Sequence, residues 1–315
     1  MGLIACALIG MTTAALANDS VAETAAGGLV LRQSRDIDMV SEDLYLSRLE
    51  VRVRYVFRNR SGHPVRTVVA FPMPDRDLSA EEEGDIAWPA DFRTRVDGRA
   101  VTMRVERKAM LAGADHSALL RSLGVPVAGR DGDQALYRAL DALPGAARAR
   151  LAALGLVANG RPMWTVKETW YWEQVFPAGR DLAVEHRYRP GLGGTVATAL
   201  GSREVRQSDY GREMIARYCI DADFLATVER FAARSEGGMA PFAEDWLSYV
   251  LTTGANWRAP IADFRLVVDK GDPRNLVSFC GEGVRRISPT RFELRRRNWR
   301  PDRDLHVLFL HPTGG

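Results

Sequence analysis

The chain predicts a mainly β protein: two β-sandwich-like layers or domains, a helical insertion, and one further helix. Three observations carry this reading. Apolar and polar residues alternate over several short runs, the period of a half-buried strand. Clusters of Gly, Pro and Asn separate those runs and supply turn geometry. One central stretch switches to the three-to-four-residue spacing of a helix. With 315 residues, 46% of them hydrophobic, the chain can fill two cores or one large β-rich one.

Met1 to Ala17 is uncharged and apolar, and it closes on Ala15-Leu16-Ala17 before Asn18-Asp19-Ser20. An apolar run ending in an Ala-x-Ala site reads as an export signal, although no Lys or Arg precedes it here. Leu3-Ile4-Ala5-Cys6 is similar to a lipoprotein processing site, but most of the apolar run follows Cys6, which places Cys6 in the discarded signal. The expectation is a periplasmic or secreted protein. No later segment approaches the roughly 20 apolar residues of a spanning helix, so no transmembrane segment is expected after signal removal.

Residues 18–110 form the first β-rich part. Leu49, Val51, Val53, Tyr55 and Phe57 alternate with Glu50, Arg52, Arg54 and Val56. Asn59 to Pro64 is a turn, and Val65 to Phe71 reads as the returning strand of a hairpin, stopped by Pro72 and Pro74. A second hairpin is expected from Phe92–Val96 through Asp97-Gly98 to Val101, Met103 and Val105.

Residues 111–160 form the helical insertion, expected at the sandwich edge or as its cap. Asp115 would cap a helix carrying Leu119, Leu120 and Leu123, with Gly124 as its stop. Asp133 would begin a second helix with Leu136, Leu140 and Leu143 on one face, broken by Pro144. A third runs through Ala147, Leu151 and Leu154 to Gly155.

Residues 161–315 form the second β-rich part. Trp164-Thr165-Val166 resumes the strands, and Glu168 to Phe176 with Leu182, Val184, His186 and Tyr188 predicts another hairpin turning at Pro177-Ala178-Gly179. Residues 191–211 read as a loop. A helix follows at about 221–234, capped by Asp221, with Phe224, Leu225, Val228 and Phe231 facing inward. Trp246 to Leu251 is ambiguous between helix end and strand. Phe264–Val268, Leu276–Phe279, Arg291–Leu294 and Leu305–Leu310 complete the strands.

Signal removal leaves Cys219 and Cys280. Outside the cytosol a lone pair is most simply a disulfide, and closing so long a loop stabilises by about 4 kcal/mol. Two inert buried thiols are the alternative. A metal pair is disfavoured because neither cysteine has a nearby His or second Cys, so no metal or cofactor is expected.

Trp170 and Trp172 share one strand face, with Tyr171 on the other and Trp164 close by. Exposed, the pair would form a platform for sugar rings or peptides; large apolar groups on both faces favour a buried core strand. The weak acid–base candidates are Glu168, Glu173 and His186, and His186 reads first as a satisfied structural histidine. Asp36, Asp38, Glu42 and Asp43, like Glu81, Glu82, Glu83 and Asp85, lack the Gly and closing Glu of a calcium loop and read as solvated loop faces. No His-x-x-x-His or Gly-x-Ser-x-Gly pattern is present.

Net charge is +3, too balanced to imply nucleic acid. Arg285, Arg286, Arg291, Arg295, Arg296, Arg297, Arg300 and Arg303 nevertheless make the C-terminal region basic. Arg295, Arg296 and Arg297 are binding candidates for lipid headgroups, cell-wall polymers or an acidic partner; guarding a sheet edge is the competing role.

The stretch from Ala17 to Leu29, Ser41-Glu42-Asp43-Leu44, and Val65 to Asp75 resemble the bacterial secreted domain-of-unknown-function family 4424. Tyr171 to Gly179, Val184 to Pro190 and Thr253-Gly254-Ala255-Asn256-Trp257 are similar to its later motifs. The resemblance spans essentially the whole mature chain and implies an exported bacterial protein of uncharacterised role, with no catalytic residues to carry over. More loosely, Asn59 to Pro74 is similar to β-sandwich modules flanking adhesion-type domains in vault and inter-alpha-inhibitor proteins.

These readings together predict a non-enzymatic binding or scaffolding protein of the envelope. Its partner would be an envelope protein, a glycan or a lipid. The alternatives are an envelope hydrolase acting on glycans or peptides, marked by a pocket that joins the acid–base candidates, and a carrier of a hydrophobic ligand, marked by an apolar cavity between sheets.

Overall fold

The computed structural model describes residues 19–25, 28–80, 89–129, 134–235 and 239–313. The expected signal, the acidic residues Glu81, Glu82, Glu83 and Asp85, and Asp133 as a helix start lie outside the described residues.

Among the described residues the strands build one eight-stranded, one seven-stranded, one four-stranded and one two-stranded sheet. The eight-stranded, central sheet runs in the order Arg285–Arg286, Arg291–Trp299, Ile261–Asp269, Ile37–Ser47, Val51–Asn59, Asp181–Arg189, Ala90–Val96, Arg99–Val101. Ile37–Ser47 lies parallel to Ile261–Asp269, so strands from both β-rich stretches share this sheet. The flanking, seven-stranded sheet is centred on Thr165–Phe176 and Val65–Pro72. The small, four-stranded sheet runs Gly193–Thr195, Phe242–Tyr249, Leu305–Pro312, Leu276–Phe279. The fold is mainly β and layered, as predicted.

One core fills the space between the central sheet and the other two. Val53, Tyr55, Phe57 and Leu266 of the central sheet meet Phe71 and Trp172 of the flanking sheet and Leu247, Tyr249 and Phe309 of the small one. Each such side chain, fully buried, stabilises by about 1.5–3 kcal/mol. The alternation in Val51–Asn59 is as read: Val51, Val53, Tyr55 and Phe57 are buried and Arg52 and Arg54 exposed, whereas Leu49 lies outside the strand in solvent.

Two expected hairpins are not hairpins. Val51–Asn59 pairs with Asp181–Arg189 in the central sheet, while Val65–Pro72 pairs with Thr165–Phe176 in the flanking sheet. Each predicted turn instead carries the chain from one layer to the other, and the two arches stack side by side. Asn59, 1% exposed, joins them: its Nδ2 donates to the carbonyls of His63 and Phe176, and its carbonyl accepts from Gly179 N–H. Alternation reports which face of a strand is buried and is silent on which strand hydrogen-bonds to it. The Asp97-Gly98 turn does join Ala90–Val96 to Arg99–Val101, but Val105 belongs to Arg104–Leu111 of the flanking sheet.

The insertion folds as Ser117–Ser122, Gln134–Asp141 and Gly145–Ala153. The residue before the first helix is His116, and Asp115 instead accepts from Ser117 N–H at 2.9 Å. Leu120, Leu136, Leu140 and Leu151 close a separate core on Ala109, Trp164 and Val166, at the end of the flanking sheet.

The expected loop at 191–211 holds a strand, Gly193–Thr195, a short helix, Arg203–Gln207, and the start of a longer helix, Asp209–Tyr218. Ala222–Ala232 forms as predicted, with Asp221 accepting from Phe224 N–H at 2.7 Å, although Phe231 is 43% exposed rather than inward. The helices Asp209–Tyr218 and Ala222–Ala232 cover the small sheet through Met214, Tyr218 and Val228. Residues 246–249 resolve as strand, within Phe242–Tyr249.

Strand Ile37–Ser47 has no clean period because a bulge between Met39 and Ser41 shifts its register. It buries Asp38 and Glu42, correcting their reading as solvated loop residues. Asp38 is matched by Arg60 at 2.7 Å and by Arg258, whose Nε and Nη2 both donate to it.

Candidate functional site

The C-terminal strands that carry the arginines also shape a large cleft. Ile261–Asp269 and Arg291–Trp299 of the central sheet form one wall, and Leu276–Phe279 at the edge of the small sheet forms the other. Phe264 and Leu266 close its base, fully buried, while Val277, Phe279, Phe292 and Trp299 are only partly covered along the walls. Trp299 packs on Phe264 with ring centroids 4.6 Å apart. The rim carries both signs of charge: Arg286, Arg296 and Arg303 beside Asp221, Glu282 and Asp302. The cleft measures about 870 Å³, within the roughly 300–1,000 Å³ of small-molecule sites.

Cys219 and Cys280 are bonded, with Cα atoms 5.0 Å apart, and both border this cleft. Cys219 ends Asp209–Tyr218 in a left-handed conformation, φ 50°, and Cys280 directly follows Leu276–Phe279. Ser278 Oγ adds a bond to the Tyr218 carbonyl at 3.0 Å. The staple therefore holds the small-sheet wall against the helices behind it.

Arg291, Glu293 and Arg295 point to one face of their strand, as period two requires. Glu293 accepts from Arg265 at 2.8 Å, Arg285 at 2.9 Å and Arg295 at 3.1 Å. Those bonds, Arg265 foremost, hold its carboxyl down at about 2. Arg295 is thus engaged away from the cleft. Arg296, on the opposite face, lines the cleft and donates to the Glu282 carbonyl at 2.7 Å. Arg297 is exposed, opposite Asp263 in the ladder. Of the three candidate arginines, the structure brings Arg296 to the site.

The acid–base candidates do not converge, and none of the three bonds to another. Glu168, 3% exposed, is held by Arg107 at 2.6 Å and accepts from Trp170 Nε1 at 2.8 Å. Glu173 sits at the surface with Arg104 at 3.1 Å. His186 is fully buried, with Nδ1 2.8 Å from Thr94 Oγ1 and Nε2 3.0 Å from Asp19 Oδ1. Both of its ring nitrogens are therefore engaged. Trp172 is in the core at 2% exposure, and Trp170, half-buried, stacks on Phe92 at 4.9 Å.

Among the described residues no helix is long and apolar enough to cross a membrane, and no three His, Cys, Asp or Glu side chains are grouped to hold a metal ion. Sequence reasoning did not find the cleft, because its walls come from strands whose apolar faces each look like ordinary core.

A Legionella pneumophila protein provisionally described as nutrient binding matches 88% of this chain and 68% of its own, at 15% identity and a TM-score of 0.46. An M1 zinc metallopeptidase from Deinococcus radiodurans matches 89% of this chain and 43% of its own, at 10% identity and a TM-score of 0.27. At such scores these likenesses define neither fold nor function. No curated protein matches the chain. The model of the family described as Domain of unknown function (DUF4424) matches residues 17–308, and the chain belongs to that family.

Proposed function

We propose that this is a non-enzymatic binding protein of the bacterial envelope that takes an amphipathic ligand into the cleft between the central and small sheets. The observation that carries the reading is the cleft itself: aromatic and aliphatic walls left partly open beneath a rim of charges. Apolar walls favour a hydrocarbon or ring portion, and the rim favours a polar head. Export is supported by the signal-like pattern of residues 1–17 and by a disulfide of the kind that persists in oxidising compartments. The separate engagements of Glu168, Glu173 and His186 favour binding over hydrolysis.

A dansyl-labelled undecanoate tests this directly. The disulfide-bonded protein should give a saturable rise in dansyl fluorescence, and Val277→Arg, which places a charge on the apolar wall, should weaken binding at least about tenfold with an unchanged melting temperature. Absence of saturable binding, or equal binding by the variant, contradicts the reading.

A further inference from the structure

A second, smaller cleft opens where strand ends of the central, flanking and small sheets meet, and it is of different character. Its volume is about 270 Å³, below the range of roughly 300–1,000 Å³ common for drug-sized ligands. Tyr188, Tyr218 and Trp246 give it aromatic walls. It carries charges of both signs: Asp75 and Asp304, with Arg76 and Arg217. Asp75 and Asp304 are close enough that Asp304 repels Asp75. Burial raises both carboxyls above the usual range; Lys167, 3.2 Å from Asp75, and the N–H groups of Leu251 and Thr252 on Asp304 offset this only in part. Arg217 stands beside His306. Burial, with Arg217 adding to it, lowers His306 to about 4, so its ring is uncharged at neutral pH. His306 Nδ1 lies 2.9 Å from Ser248 Oγ.

A cavity of this size, lined by two carboxylates, two guanidiniums and aromatic rings, matches a small zwitterion. We propose that it binds a free α-amino acid, the ammonium group between Asp75 and Asp304, the carboxylate at Arg217, and the side chain against Trp246 and Tyr188. The ammonium relieves the repulsion between two partly buried carboxylates. The aromatic faces add cation–π attraction and apolar contact. Arg217 is exposed, so its guanidinium is open to a planar carboxylate in the bidentate geometry that suits it.

Isothermal titration calorimetry on the full, disulfide-bonded chain tests this with three probes of one shape. They are phenylalanine, phenethylamine, which lacks the carboxylate, and hydrocinnamate, which lacks the ammonium. Phenylalanine should bind at least about tenfold more tightly than either. Arg217→Gln should erase the advantage over phenethylamine while keeping that over hydrocinnamate, and Asp75→Asn should do the reverse. Circular dichroism and melting curves of both variants separate misfolding from lost recognition. Val277→Arg, in the larger cleft, should leave phenylalanine binding intact. Equal affinity for the three probes, no heat from phenylalanine at millimolar concentration, or loss of binding in Val277→Arg would overturn the assignment.

Discussion

Glu293 shows how one side chain organises a charged surface. Three arginines converge on a carboxylate that is 7% exposed, and they fix the strand that walls the large cleft. Its folded pKa, about 2, lies below its ordinary value of 4.5. Its stabilisation is therefore present above pH 4.5 and is lost as pH falls toward 2. Glu293→Gln should lower stability at pH 7 by roughly 1–3 kcal/mol and flatten the acid limb of a urea-midpoint profile. His306 acts in the same direction at higher pH. Its pKa is about 4 folded against 6.5 ordinarily, so below 6.5 the unfolded chain binds the extra proton. Stability should climb from pH 4 to 6.5, and His306→Gln should lose that part of the slope. The basic run, Arg295 included, was legible as a bias of composition, without Glu293 as its hub. Arg265 and Arg285, the other two partners, could not be read, because they come from neighbouring strands. Asp19 and His186 are likewise paired across 167 residues, a distance no local pattern spans.

Among the elements, strands were legible wherever one face is buried, as in Val51–Asn59, and their partners were not. The Asn59–Pro64 turn has hairpin chemistry, yet it serves an arch, and the choice is made by Asn59 bonding across to Phe176 and Gly179. Asn59→Ala leaves the His63 and Phe176 carbonyls and the Ser61 N–H without their side-chain partner, while the main-chain bond from Gly179 stays. It should cost roughly 2–4 kcal/mol in urea unfolding, and Asn59→Asp keeps only the acceptor side. The helix Asp209–Tyr218 escaped sequence reading because four charged residues and a glycine interrupt it and only Gly211, Met214 and Tyr218 are buried. Its first turn depends on Gly211, where a Cβ would lie 2.0 Å from the Val205 carbonyl oxygen. Gly211→Ala should force the two helices apart and lower the melting temperature by several degrees, with loss of helix–sheet packing at Met214.

For the molecule as a whole, one core joins strands from both β-rich stretches, and the cleft lies where the small sheet stops covering the central one. The Cys219–Cys280 bond closes that region at a sequence separation of 61. A paired Cys219→Ser, Cys280→Ser variant should lose about 4 kcal/mol of stability and bind dansyl-undecanoate more weakly, since one wall loses its anchor. Fold class was legible because period and turn composition are local properties. The cleft was not, because it is a gap between layers, and a gap leaves no mark on any single strand. The most direct test is hydrogen exchange followed by mass spectrometry, with and without dansyl-undecanoate. Binding in the cleft predicts slowed exchange confined to residues 264–268, 276–282 and 291–299. Unchanged exchange in those three segments at saturating ligand, or protection centred elsewhere, would contradict it.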